Sequence, residues 1–309
     1  PFIYSFVDSP QTLLLVRLIH GTATAIYGPV SLAYVAERSK NRKGELLGWF
    51  GIAKTSGYII GPLAAGWLLL HLKPEHVFTI IGIISSIAFI PVALLPEKHY
   101  SKLRKDPLNL LKRFASTLRF GAGSSIVWIS GFLDAWMYMA VYAVKAFLPI
   151  YGILEGFNVL EVGIFFAVQE TVHLLINPIG GRMGDKIGYP SIVVIGMILM
   201  SFSLITIPFA NHLMPLLVIA SLIGLAQAMV FPSTLAMISL RFTDEGVATG
   251  MATTGSLKNA GKIAGPVFAG FLITIFDYDV TLILMGSLLI TSALILFTGL
   301  KMRYDPVKF

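Results

Sequence analysis

Long apolar runs follow one another along almost the whole chain, which has 309 residues. An α-helix needs about 20 apolar residues to cross a bilayer, and nine runs reach that length. They lie at about 12–36, 46–70, 77–96, 124–150, 159–182, 190–210, 213–240, 247–276 and 280–300. Residues 1–7 resemble the end of a tenth run. The runs are too long and too rich in glycine for the alternating strands of a membrane barrel, so the pattern predicts an all-α polytopic membrane protein.

Composition narrows the class of protein further. Hydrophobic residues make up 56% of the chain and charged residues 13%, whereas an ordinary soluble domain has about 25% charged residues. This argues against a soluble enzyme or a disordered chain. The net charge of +7 is spread over short loops between apolar runs, so we expect no nucleic-acid partner. Because the chain has no cysteine, disulfides, thiol catalysis and cysteine zinc sites are excluded, and no metal site is predicted.

The distribution of lysine and arginine predicts the orientation in the membrane. Most of the 23 basic residues follow every second run, and the loops on the other side hold only Lys73. Because cytoplasmic loops carry the excess of positive charge, we expect nine spans with Pro1 outside and the C-terminus, Phe309, in the cytoplasm. The one long connection, residues 97–121, mixes basic residues with leucines, which predicts a helix on the cytoplasmic membrane surface.

Two stretches of the sequence repeat each other at a constant spacing. Residues 57–66 read GYIIGPLAAG, and residues 261–270 read GKIAGPVFAG. Lys54 aligns with Lys258, and the preceding runs share an aligned proline. Both copies run in the same direction, which is typical of transporters built from two parallel halves. The aligned motif positions are Gly57, Gly61, Pro62 and Gly66 in the first copy and Gly261, Gly265, Pro266 and Gly270 in the second.

The repeat also predicts the domain organisation. Residues 1–96 would be the remainder of an N-terminal half, residues 97–121 a linker, and residues 122–309 a C-terminal half of six helices. The runs at 124–150, 159–182 and 190–210 have no aligned partners in the first copy. If the two halves match, three further helices precede Pro1, and the chain holds helices four to twelve of a twelve-helix protein.

These motifs resemble the major facilitator superfamily, and most closely its drug:proton antiporter branch. Residues 57–66 are similar to the Gly-Pro antiporter motif of the fifth helix. GGRMGDKIG at residues 180–188 resembles the G-x-x-x-D-x-x-G loop between the eighth and ninth helices, and LVRLIHGTATAIYGP at residues 15–29 resembles the fourth-helix motif. The resemblance covers essentially the whole chain. It implies the major facilitator fold and a monomer in the cell membrane that carries a small molecule across the bilayer, with no cofactor and with a proton gradient as its energy source.

The resemblance implies gating roles for the Gly-Pro motif in both copies. In the first copy, Gly57, Gly61 and Gly66 would let another helix approach closely, and Pro62 would bend the helix. A tight contact of this kind between the halves would control opening. Plain helix packing is the alternative, and the residues alone do not decide between the two.

The G-x-x-x-D-x-x-G segment is implied to be a charged latch on the cytoplasmic side. The spacing places Arg182 at the end of one helix and Asp185 at the start of the next. A simple helix cap by Asp185 beside an interfacial arginine is the alternative. The candidate latch residues are Gly181, Arg182, Asp185 and Gly188.

Charged residues within the runs are the candidates for transport chemistry, because each costs a few kcal/mol at the bilayer centre and usually faces a cavity. Asp134 and Glu170 lie mid-run, and His173 follows Glu170 on the same helix face. Lys258 and Lys262 also share a face, since they are four residues apart. The candidates for proton coupling and the substrate cavity are Asp134, Glu170, His173, Arg17, Lys54, Lys258 and Lys262.

Basic residues outnumber acidic ones among these candidates. Either further helices supply acids, or the cavity is positive and suits anionic substrates. Lys145 stands apart, because it lies near the outer end of its run, and we expect its side chain to extend to the membrane surface.

Two transport functions follow from these residues. The first is proton-coupled export of a drug or metabolite, with Asp134 or Glu170 binding a proton on one side of the membrane and releasing it on the other. The alternative is uptake of an organic anion, with Lys54, Lys258 and Lys262 as counter-charges. The number of charges within the runs argues against a membrane sensor or scaffold without transport, and no pattern of enzyme catalysis appears.

Overall fold

The structure, a computed structural model, describes residues 1–38, 43–94, 124–240 and 244–303. These residues form α-helices and two short 3-10 helices, Phe2–Phe6 and Ile207–Phe209. The α-helices are α1 (Pro10–Arg38), α2 (Lys43–His71), α3 (Pro74–Ile87), α4 (Phe89–Ala93), α5 (Ser125–Leu154), α6 (Val159–Ile187), α7 (Tyr189–Thr206), α8 (Leu213–Ser239), α9 (Asp244–Ile275) and α10 (Tyr278–Arg303). The prediction of an all-α polytopic membrane protein is confirmed.

Each of the nine predicted runs coincides with a helix or a pair of consecutive helices. Six helical stretches within the described residues are long and apolar enough to cross a membrane. The other three long helices, α1, α2 and α9, have 29, 29 and 32 residues, and each contains at least one of the charged candidate residues. The six stretches are Pro74–Ala93, Ser125–Leu154, Val159–Ile187, Tyr189–Phe209, Leu213–Ser239 and Tyr278–Ile295.

The chain divides into two compact units, Pro1–Leu103 and Arg104–Phe309. In the N-terminal unit, the first 3-10 helix packs on α3, where the Phe2 ring fills the space that Gly82 leaves by having no side chain. Ala88 separates α3 from α4, so the third run is formed by two helical pieces. The surface helix predicted at 97–121 lies outside the described residues.

The C-terminal unit holds α5 to α10 around a continuous apolar core. Helix α5 packs along α9, α6 packs along α8, and α7 lies against both α8 and α10. The contacts between α5 and α9 advance in the same direction along both helices. Gly131 lies beside Leu257, and Met139, further along α5, lies beside Gly265, further along α9. The helices α5 and α9 therefore run parallel, and the side chains along their seam keep a constant register.

The end of α6 corrects one prediction. The family resemblance implies a loop between two helices over 180–188, but α6 continues to Ile187, and Gly188 ends it with a φ of 94° that favours glycine. Asp185 therefore lies in the last turn of α6 and not at the start of α7. Asp185 does not cap α7 either, because the residue at the N-cap position of α7 is Gly188. Gly184 lies within α6, where it is buried beside Tyr189.

Candidate functional site

Most of the predicted intramembrane charges gather on one face of the C-terminal unit. On α5 its members are three or four residues apart, so they form one stripe along that helix. We call this surface the charged face. It consists of Asp134, Tyr138, Tyr142 and Lys145 on α5, Glu170 and His173 on α6, Phe231 and Thr234 on α8, and Lys258 and Lys262 on α9.

Glu170 is held between two basic side chains. Its Oε1 atom lies 2.9 Å from Lys145 Nζ, and its Oε2 atom lies 3.4 Å from His173 Nδ1. The side chain of Glu170 is 8% exposed, against 30% for Lys145. An opposite charge at this distance stabilises the ionised form of a buried carboxylate. The expectation that Lys145 extends to the membrane surface is therefore wrong, because an acid on the neighbouring helix lies within reach of its ammonium group.

Tyr138 is the point at which the two lysines of α9 meet α5. Its ring stacks on Phe231 with a centroid separation of 4.3 Å. Lys262 Nζ lies 4.9 Å from the centroid of the Tyr138 ring, and Lys258 Nζ lies 5.5 Å from it. Ammonium groups at such distances are attracted by the negative face of the ring. The two lysines thus share one helix face, as their spacing predicts, and that face is turned toward an aromatic side chain.

Further ring contacts join these two clusters. The His173 ring meets Phe231 edge-on at 5.7 Å between centroids. Lys145 Nζ lies 5.6 Å from the centroid of Tyr142, and Lys262 Nζ lies 5.5 Å from the same centroid. The contacts close into a circuit, so a change in charge at one member is felt by its neighbours. Its order is Lys262, Tyr138, Phe231, His173, Glu170, Lys145, Tyr142 and back to Lys262.

Asp134 lies one helical turn before Tyr138 and is buried, with 8% of its surface exposed. Thr234 Oγ1 donates a hydrogen bond of 2.7 Å to Asp134 Oδ1. The second predicted acid is thus bound by α8, whereas Glu170 is bound by α5 and by its own helix.

The glycines of the second repeat copy position the lysines. A Cβ atom at Gly261 would collide with the carbonyl oxygen of Ala135, and one at Gly265 would collide with that of Met139. Only residues without a side chain allow two helices to approach so closely. Because Lys262 directly follows Gly261, this contact sets it beside α5. The second copy therefore packs two helices of one unit together. Its gating role stays a prediction.

Two other positions of the second copy lie outside this closest contact. Gly270 is packed less tightly than Gly261 and Gly265, since a Cβ atom there would lie 3.1 Å from the side-chain atom Cζ of Phe147. Pro266 lies inside α9, where it has no N–H to donate to the carbonyl of Lys262.

The first repeat copy lies in α2 and has other surroundings. Within the described residues, a Cβ atom at Gly57 or Gly61 would meet no atom within 4 Å. Gly66 is buried, and Pro62 lies inside the helix. Lys54 is exposed on the same helix. The gating role predicted for these positions stays a prediction.

Arg17 lies in the N-terminal unit, in a cluster of its own. Its guanidinium carbon lies 5.5 Å from the centroid of Tyr4. The Tyr4 hydroxyl is 3.1 Å from His20 Nδ1, and the Tyr4 ring stacks on Phe78 at 5.2 Å. These contacts tie the first 3-10 helix to α1 and α3. The part that Arg17 plays in coupling or in the cavity stays a prediction.

The predicted latch residues lie at the C-terminal end of α6. Asp185 accepts a hydrogen bond from the hydroxyl of Tyr189, the first residue of α7. Arg182 is exposed, and Gly181 packs near Pro232. Across the described residues, no three His, Asp or Glu side chains gather as a metal site requires.

Sequence reasoning missed the residues that complete the charged face. Tyr138 and Tyr142 continue the stripe that Asp134 begins on α5, and that spacing was a readable signal. Phe231 and Thr234 carry no such signal, because only packing of α8 beside α5 brings them close. The same holds for the buried pair Gln169 and Gln227, whose amide hydrogen bond of 2.8 Å joins α6 to α8.

The chain matches known transporter sequences along most of its length. An uncharacterized MFS-type transporter of Methanocaldococcus jannaschii is 26% identical over 87% of this chain and 70% of its own length. The uncharacterized MFS-type transporter YuxJ of Bacillus subtilis is 24% identical over 98% of this chain and 78% of its own. The multidrug resistance protein MdtG of Salmonella heidelberg is 19% identical over 94% of this chain and 72% of its own.

The family comparison agrees with the repeat, the helical fold and the intramembrane charges. The model of the Major Facilitator Superfamily matches residues 1–172 and again residues 137–308. Together the two matches cover nearly the whole chain. We conclude that this protein, a membrane transporter with a small-molecule substrate, belongs to the Major Facilitator Superfamily.

Proposed function

We propose that this chain is a proton-coupled secondary transporter that exports a small molecule by alternating access. The observation that carries the proposal is the position of Glu170, a buried carboxylate between Lys145 at 2.9 Å and His173 at 3.4 Å. Ionisable groups buried among membrane helices are typical of proton relays and of substrate pathways. Glu170 is therefore our candidate proton carrier, and Asp134 is the second.

The contacts suggest how a proton would change the charged face. With Glu170 ionised, Lys145 and His173 are bound to it, and the three side chains connect α5 with α6. When Glu170 takes up a proton, its attraction for Lys145 is lost, and α5 and α6 are no longer held together by charge. Such a two-state element is what links proton binding to a conformational change.

Export as the direction is supported by names and motifs outside the charged face. MdtG, one of the relatives, is named a multidrug resistance protein, and the Gly-Pro motif resembles that of antiporters. We further propose that the protein acts as a monomer in the cell membrane, with its C-terminus in the cytoplasm, without cofactor or nucleic-acid partner. The proton gradient would supply the energy.

Proton flux in proteoliposomes tests the proposal. The purified chain is reconstituted with pyranine inside, and either cationic ethidium or anionic fluorescein is added as the transported probe. We expect probe-driven proton flux in the wild type and its loss in Glu170→Gln, with a similar loss in Asp134→Asn. Glu155→Gln is the matched control, because it removes an exposed carboxylate at the end of α5. Wild-type flux in both variants would overturn the proposal.

Uptake of an organic anion is the second candidate. It is favoured by Lys258 and Lys262, whose ammonium groups both lie beside Tyr138. The direction of fluorescein movement under an imposed proton gradient separates the two candidates. Export drives fluorescein against the inward proton gradient, whereas uptake coupled to protons moves it in the same direction as the protons.

A further inference from the structure

We infer that the surface formed by Tyr138, Lys258 and Lys262 binds the anionic group of a substrate whose body is planar and aromatic. The inference rests on the proposed transport function, because it assigns the substrate class of the same charged face. It does not depend on the direction of transport. It adds a chemical class that neither the family nor the named relatives specify.

The first step concerns the groups around the Tyr138 ring. Phe231 stacks on Tyr138 with the two ring planes 14° from parallel, so one face of Tyr138 is covered. Both ammonium groups lie within 5.5 Å of the ring centroid. The ring therefore has an aromatic neighbour on one face and two ammonium groups within cation–π distance. Two positive charges are thus concentrated at one aromatic surface.

The second step concerns the two carboxylates of the charged face. Asp134 accepts a hydrogen bond from Thr234 on α8. Glu170 is bound to Lys145 and to His173 of its own helix. Both acids are buried and fixed by these partners. Neither acid can move to Tyr138 without giving up these hydrogen bonds, so neither competes with a substrate anion that binds beside that ring.

The third step is the chemistry of such an anion. Lysines four residues apart on a helix repel each other, and an anion between them converts that repulsion into attraction. A carboxylate has two oxygens, so it can accept a hydrogen bond from each ammonium group. The stacked pair of Tyr138 and Phe231, with Tyr142 beside Lys262, offers flat apolar surface next to this charge. An aromatic body attached to the anionic group would pack there.

Equilibrium binding of three matched probes tests the inference. The probes are 1-naphthoate, 1-naphthamide and 1-naphthylmethylammonium, which share one aromatic body and differ in charge. The full chain in nanodiscs is dialysed against each probe, and binding to empty nanodiscs is subtracted. We expect naphthoate to bind at least about tenfold more tightly than the neutral amide, and the cation to bind most weakly, since charge-assisted hydrogen bonds form only with the anion.

Variants assign the preference to the two lysines. Lys258→Gln and Lys262→Gln should each weaken naphthoate binding about tenfold and leave naphthamide binding within about twofold. Lys262→Arg should retain most of the affinity, because it keeps the charge. Lys73→Gln, an exposed position in the N-terminal unit, is the matched control and should bind as the wild type does. A thermal unfolding curve shows that each variant is folded.

Three outcomes would overturn the inference: no naphthoate binding at millimolar concentration, equal binding of all three probes, or unchanged naphthoate affinity in Lys258→Gln and Lys262→Gln. The measurement uses no proton gradient. Its failure therefore leaves the proton-flux result for Glu170 intact, and loss of proton coupling would not change the charge preference measured here.

Discussion

The two copies of the Gly-Pro motif have almost the same glycine pattern but different surroundings. In α9, Gly261 and Gly265 lie against backbone carbonyls of α5. In α2, Gly57 and Gly61 have nothing within 4 Å among the described residues. A motif of small residues therefore specifies that a helix can be approached closely, and the neighbouring helix decides whether it is. In the second copy this approach also places two lysines at the charged face.

The largest effect is expected where a side chain would meet backbone. Gly265→Val should lower the free energy of unfolding by about 3 kcal/mol, because the Met139 carbonyl cannot move away without shifting α5. Gly61→Val, at the aligned position of α2, should change it by less than about 0.5 kcal/mol. Unfolding in mixed micelles measures both. Equal losses in the two copies would show that the contrast between them is absent from the folded protein.

A cross-link gives a second measurement if Gly265→Val does not fold. The chain has no cysteine, so introduced pairs react only with each other. A Cβ atom at position 131 would lie 3.2 Å from the Cβ atom of Leu257, a few tenths of an ångström below the range of about 3.5–4.5 Å in disulfides. Gly131→Cys with Leu257→Cys should oxidise readily, whereas Gly131→Cys with Gly255→Cys should not. Mass spectrometry of the digested chain distinguishes the two.

A smaller change in the free energy of unfolding is expected at two aligned hydroxyl residues that precede the copies of the Gly-Pro motif. Thr234 and Ser31 each lie two residues after an aligned proline. Thr234 Oγ1 donates to the buried carboxylate of Asp134 at 2.7 Å, whereas Ser31 Oγ donates to the carbonyl of Tyr27 in its own helix. Thr234→Val should lower the free energy of unfolding by about 1–2 kcal/mol, and Ser31→Ala by less than about 0.5 kcal/mol. A Thr234→Val loss no greater than that of Ser31→Ala would contradict the buried hydrogen bond between Thr234 and Asp134.

The same contrast shows how far sequence reasoning reaches. Apolar runs predicted every long helix, because membrane burial acts on each helix separately. Spacing along one helix also predicted that His173 lies beside Glu170 and that Lys258 and Lys262 share a face. These features depend only on helical periodicity.

Features that depend on two helices were not predictable. Lys145 looked like a surface residue, yet its partner Glu170 lies 25 positions away on the next helix. Asp185 looked like the start of a helix, but α6 continues through it to Ile187. For Lys145, the register between neighbouring helices decides the contact. That register is fixed by side-chain packing, which a single sequence does not display.

The smallest expected effect is a gain in the free energy of unfolding, and it tests the first copy of the motif in α2. Gly57→Ala should raise the free energy of unfolding by about 0.5–1 kcal/mol, because alanine favours the helix and loses less backbone freedom on folding, and its methyl group meets no described atom within 4 Å. Gly261→Ala is the matched variant and should lower it, since its methyl group would meet the Ala135 carbonyl. The two should differ in sign in one unfolding assay. A loss of stability in Gly57→Ala would mean that a helix packs on these glycines in the folded protein, and the gating contact predicted from the first copy would then gain its first direct support.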